Sequence, residues 1–160
     1  ELKECDWSSD VCSSDLAVAC DLRVAAANAK FGFPIARTLG NCLSMANYGR
    51  LSALIGPARV KEMVFTARLL DAAEAQAAGL VGEVVADPAD LLPRADALAR
   101  TIAGHAPLTL RATKEALRRL RDDGPGAEDR DLIVACYTSD DFREGVDAFL
   151  AKRPPVWRGR

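Results

Sequence analysis

The sequence runs to 160 residues, 49% hydrophobic and 28% charged, with a formal net charge of −2. That composition supplies a sizeable core, and interspersed charges of both signs leave no basic footprint for nucleic acid. No run reaches the ~18 apolar residues of a spanning helix, and no basic start leads into an apolar signal core. The five cysteines (Cys5, Cys12, Cys20, Cys42, Cys136) are odd in number, lack C-x-x-C spacing and share the chain with one histidine. This pattern argues against a zinc site and for reduced thiols in the cytoplasm.

Residues 1–15, ELKECDWSSDVCSSD, repeat Ser-Ser-Asp and show no apolar periodicity. They read as a leader foreign to the rest, a scar or misread frame, or else as a flexible native leader. From Leu16 the chain reads as the end of an Ala-rich helix, then a strand over Asp21–Ala26, a turn at Ala27–Asn28 and an extended piece over Lys30–Phe33. Pro34 should turn the chain into a long polar loop, Ile35–Asn41. Leu43–Ile55 has helical apolar spacing. Gly56 stops it and Pro57 opens the next helix, to Thr66, with Val60, Val64 and Phe65 inside. Asp71 and Glu74 have capping-box spacing for a short helix closed by Gly79, and Leu80–Ala86 reads as a strand. Asp87-Pro88 opens a helix to about Ala103. Pro107 starts another, Leu108–Arg121, with Leu110, Leu117 and Leu120 inside. After the linker at Asp122–Gly126 come helices at Asp129–Tyr137 and Ser139–Lys152, then a polar tail.

The run ACDLRVAAANAKFGFP (Ala19–Pro34), followed by GLVGEVV (Gly79–Val85), resembles the enoyl-CoA hydratase/isomerase (crotonase) family, over roughly nine-tenths of the chain. The resemblance implies an α/β fold: the second half of a ββα spiral core over residues 16–86, then a helical region, 87–160, that drives trimers and hexamers. It implies an enzyme of the lyase or isomerase type acting on acyl-CoA thioesters in fatty-acid or related breakdown. Coenzyme A is then part of the substrate, with no metal and no further cofactor. Two backbone N–H groups would hold the thioester oxyanion. One aligns with the N–H of Cys12, where the family has a Gly-Gly-Gly turn; the other falls in a part absent here. Of the two glutamates of family hydratases, the first aligns with Asp15 and the second with Ile35, which cannot move a proton. The chain alone is therefore expected to be inactive.

The same resemblance places Ile35, Arg37, Thr38 and Asn41, with Ser44, beside the acyl group, although the polar ones read equally as solvated loop. It places Phe149 and Lys152 near the CoA adenine and phosphates, with helix packing as the alternative. Arg50 reads as one half of a structural ion pair. The stripe Arg111, Lys114, Arg118, Arg121 reads as a solvated face rather than a phosphate site. His105 is a loop residue, and Cys42 a small hydrophobe before it is a nucleophile. Two other functions stay open. A CoA-binding pseudoenzyme or partner subunit is favoured by Ile35. RNA binding, found in one family branch through a lysine-rich helix, is disfavoured by few and scattered lysines.

Overall fold

The computed structural model describes residues 16–160, which divide after Asp96 into two compact units. The first is built on two small pairings. Strand β1, Val24–Ala26, runs parallel to β4, Glu83–Val85, in the register Val24↔Glu83, Ala25↔Val84, Ala26↔Val85. Strand β2, Lys30–Phe31, runs antiparallel to β3, Leu70–Asp71. A parallel pair needs a long crossover, and the intervening helices supply it: α1, Ile35–Thr38, α2, Met45–Thr66, and α3, Ala72–Ala77. Their inner faces enclose a core centred on Phe33, Ile35, Leu51, Met63, Leu70 and Val81.

The expected strand over Asp21–Ala26 is shorter, beginning only at Val24. Before it, the Arg23 carbonyl still accepts from the Gly82 N–H at 3.1 Å, while its side chain donates from Nε to the Leu80 carbonyl at 2.5 Å and from Nη1 to the Cys20 carbonyl. The expected loop after Pro34 also differs, because its first residues form α1. Proline fixes φ (−73° here) in the range that opens a helix. Ile35, fully buried, anchors that turn in the core.

Helix α2 contains the expected break. Gly56 has φ 76° and ψ 152°, a conformation closed to residues bearing a Cβ, and Pro57 restarts the helix. Val60 and Met63 turn to the core, whereas Phe65, expected inside, is 77% exposed. Five residues beyond Val60 is about one and a half helical turns, which puts Phe65 on the opposite face. The Asp71 side chain accepts from the Glu74 N–H at 2.8 Å, and Glu74 accepts from the Asp71 N–H at 3.0 Å, completing the capping box of α3.

The second unit holds most of helix α4, Leu91–Ala103, which follows a short 3₁₀ turn at Pro88–Asp90, and helices α5, Pro107–Asp123, α6, Arg130–Tyr137, and α7, Asp140–Leu150. Asp87 and Ser139 cap their elements through side-chain oxygens, on the N–H groups of Ala89 and Phe142. Helix α5 buries no residue fully, and Leu117 and Leu120, expected inside, are exposed. Its fixed contact with α6 is polar: Arg119 meets Asp131 in a two-pronged pair at 2.6 and 2.8 Å. No helix among the described residues is long and apolar enough to cross a membrane.

Candidate functional site

Cys12 and Asp15, and the leader 1–15 as a whole, lie outside the described residues. The remaining candidates fall on two stretches, one in each unit.

The first stretch follows the Phe31-Gly32-Phe33-Pro34 run. Gly32 sits under the chain that enters β3: a Cβ there would lie 2.6 Å from Leu69 Cδ2 and 2.9 Å from the Arg68 carbonyl oxygen. The closeness of this approach explains the glycine and fixes where Pro34 and α1 begin. The Pro34 carbonyl accepts from the N–H groups of Arg37 and Thr38 and from Thr38 Oγ1, all at 3.0 Å. The Ile35 carbonyl accepts from the N–H groups of Leu39 and Gly40. Arg37, Thr38 and Asn41 are exposed beyond this turn, with the Thr38 hydroxyl folded back onto its own helix. Ile35 points the other way, into the core, so the position offers no proton donor or acceptor. Ser44 caps α2, its hydroxyl accepting from the Asn47 N–H at 3.2 Å. Arg50 donates to Asn47 Oδ1 at 3.0 Å. That neutral partner replaces the expected ion pair, since a same-face amide one turn back is within reach. Cys42 is exposed.

The second stretch closes α7. The Lys152 N–H donates to the Phe149 carbonyl at 3.2 Å and the Arg153 N–H to the Ala148 carbonyl at 3.0 Å. This is the pattern in which a left-handed residue ends a helix, usually glycine. Here a lysine holds it, with φ 51°, and both Lys152 and the 81%-exposed Phe149 project into solvent. A bulky residue in this region is held at a cost. An exposed cation and an exposed aromatic ring within one turn of each other suit a phosphate and a base.

The arginine stripe on α5 is engaged with carboxylates or carbonyls. Arg118 pairs with Glu115 and Asp122, Arg121 with Asp122, and Arg111 donates to the Gly159 carbonyl. Arg118, with Arg119 beside it, holds the Glu115 carboxyl at about 2, well below its ordinary range. Such pairing fits a solvated face. His105 closes α4 through its own N–H on the Ile102 carbonyl. No group of three histidine, cysteine or acidic side chains fit to hold a metal occurs among the described residues.

Two contributors stand out only in the structure. Arg23 ties the start of β1 to the approach of β4, and Glu83 on β4 pairs with Arg94 on α4 at 2.6 Å, which keeps the Glu83 carboxyl more acidic than usual. Arg23 stood in plain sight inside the run Cys20-Asp21-Leu22-Arg23, but sequence alone does not say that its side chain reaches the Leu80 carbonyl.

Comparison with known proteins follows this geometry closely. The family model for enoyl-CoA hydratase/isomerase matches residues 13–160, reaching three residues into the stretch read as a foreign leader. The 2,3-dehydroadipyl-CoA hydratase of Escherichia coli is 39% identical over 150 residues, covering 91% of this chain and 58% of its own. The short-chain-enoyl-CoA hydratase of Clostridioides difficile is 38% identical over 138 residues, covering 84% of this chain and 88% of its own. Among solved structures, an enoyl-CoA hydratase subunit of Geobacillus kaustophilus superposes with a TM-score of 0.84 at 36% identity, covering 96% of this chain and 60% of that one. The α/β core and helical region are thus part of the crotonase fold, and the chain spans somewhat over half the length of most of these relatives.

Proposed function

From a chain that belongs to the enoyl-CoA hydratase/isomerase family, we infer a protein that handles acyl-CoA thioesters by stabilising a thioester oxyanion between backbone N–H groups. The hydratase names of the E. coli and C. difficile relatives support the substrate class. A preorganised pair of amides in a water-poor site is worth several kcal/mol of barrier, about 3–4 kcal/mol for one donor. In this reading the N–H of Cys12 is one donor, Asp15 the first carboxyl, and Arg37, Thr38 and Asn41 the rim of the acyl end. Phe149 and Lys152 take the adenine and phosphates. The full protein works as a trimer or hexamer in the cytoplasm.

The observation that carries the finer reading is Ile35, with 0% of its surface exposed. In this reading it stands where family hydratases have their second glutamate, which speaks against a two-carboxylate hydration. The same residue favours the second reading, a CoA-binding subunit without turnover. Calorimetric titration with a saturated short acyl-CoA and with free coenzyme A tests the substrate class. Tighter binding of the thioester is expected; equal affinity for the two would remove the acyl end of the proposal.

A further inference from the structure

The final seven residues, 154–160, are drawn back along α7 by a set of contacts that no catalytic role accounts for. Asp141, in the first turn of α7, is 3% exposed. Its two carboxylate oxygens each accept a backbone N–H from the tail: Oδ1 from Arg158 at 2.7 Å and Oδ2 from Gly159 at 2.8 Å. The Asp141 N–H in turn donates to the Arg160 carbonyl at 3.1 Å. One turn on, Glu144 grips the start of the tail, pairing with Arg153 at 2.5 and 2.8 Å and accepting the Val156 N–H at 2.9 Å. Arg153 first, and then that N–H, hold the Glu144 carboxyl down at about 2. Between the two anchors, the outer edge of the Trp157 indole meets Gly145, where a Cβ would come within 3.2 Å of Cη2 and 3.4 Å of Cζ3. Behind the indole is a mainly apolar cavity of about 310 Å³, walled by Leu108, Phe142, Val146, Phe149 and Trp157.

We propose that residues 154–160 form a strap, latched by Asp141, that holds the Trp157 indole in place as one wall of this open cavity, and that releasing the latch removes that wall. A buried carboxylate must be hydrogen-bonded, and the partners of Asp141 are tail amides, so latch and burial depend on each other. The tail itself contributes no regular structure and is held by these bonds together with that from Arg111 to the Gly159 carbonyl.

The test uses the full chain in a Trp7→Phe background, which leaves Trp157 as the single indole. In Asp141→Asn the new NH₂ group faces one of the two tail N–H donors. Trp157 emission should move to longer wavelength, binding of an anilinonaphthalene sulfonate dye should rise, and tryptic cleavage after Arg158 should run roughly ten- to a hundredfold faster. Arg143→Ala, on the exposed side of the same helix, should leave all three unchanged. Asp141→Asn with unaltered emission and cleavage would overturn the latch, as would an equal response from Arg143→Ala. Should Asp141→Asn lose its helical circular dichroism, Arg158→Pro decides. It leaves the carboxylate alone and removes one of the two N–H groups that Asp141 accepts, so a red-shifted Trp157 emission supports the strap and an unchanged one refutes it.

Discussion

Gly32 and Leu69 approach so closely that no side chain fits between them: a Cβ on Gly32 would lie 2.6 Å from Leu69 Cδ2. The contact joins the end of β2 to the entry of β3 and thereby sets where Pro34 and α1 begin. Gly32→Ala should cost about 1–3 kcal/mol, the usual range for overpacking against backbone. A urea midpoint unmoved by the substitution would show that the two segments part more easily than this contact implies.

Ile35 is a core residue before it is anything else. Ile35→Ala should destabilise the first unit by about 2–5 kcal/mol, the cost of emptying a buried aliphatic site. Ile35→Glu should be worse, because a carboxylate would be buried with no partner there. Chemical denaturation of the two variants reads the order directly.

Lys152 offers a case where stability and function should diverge. Its φ of 51° is one that glycine adopts freely. Lys152→Gly should therefore stabilise the end of α7, by about 1 kcal/mol. If Lys152 holds a CoA phosphate, the same change should weaken acyl-CoA binding several-fold. Weakened binding together with raised thermal stability would assign the lysine to the ligand; unchanged binding would assign it to helix termination alone.

Acid should loosen the contact between α5 and α6 in a defined window. Arg118 and Arg119 hold Glu115 at about 2, and Arg119 holds Asp131 at about 2, from ordinary values of 4.5 and 3.8. A carboxyl depressed by folding contributes stability that is complete above its unfolded pKa and disappears as pH falls through the folded one. Melting temperature should thus hold steady down to about pH 4.5 and decline towards pH 2. Arg119→Gln, which removes the shared cation, should flatten that decline.

Much of this fold could be read from residue types with local consequences. The Gly56-Pro57 break, the Asp71/Glu74 box and the Asp87 cap before Pro88 each rest on short-range chemistry, and each forms as expected. What could not be read depends on distant partners. Whether Leu117 and Leu120 are covered is decided by neighbouring elements, not by their own spacing. The same holds for Arg23, whose acceptor on Leu80 is 57 residues away, and for Asp141, whose partners lie in the tail. Asp21–Arg23 looked like strand because Leu22 favours one, yet the paired strand begins only at Val24. The family run singled out Ile35, Arg37, Thr38 and Asn41 as candidates for the acyl end. It did not foretell that Ile35 would turn inward while Arg37 and Asn41 faced out.

Exposed Leu117, Leu120, Phe149 and Leu150 leave the second unit with apolar surface in water. The purified 160-residue chain should self-associate, with size-exclusion elution that shifts with concentration. A sharp monomer peak at all concentrations would contradict this.

Hydration of a short enoyl-CoA by the purified chain bears most directly on the acyl-CoA account. With a buried isoleucine at position 35 and no carboxyl in its place, loss of the enoyl absorbance should not exceed that in buffer. Catalysed hydration, abolished by heat-denaturing the protein, would contradict it, because proton transfer would then come from a group the account does not contain.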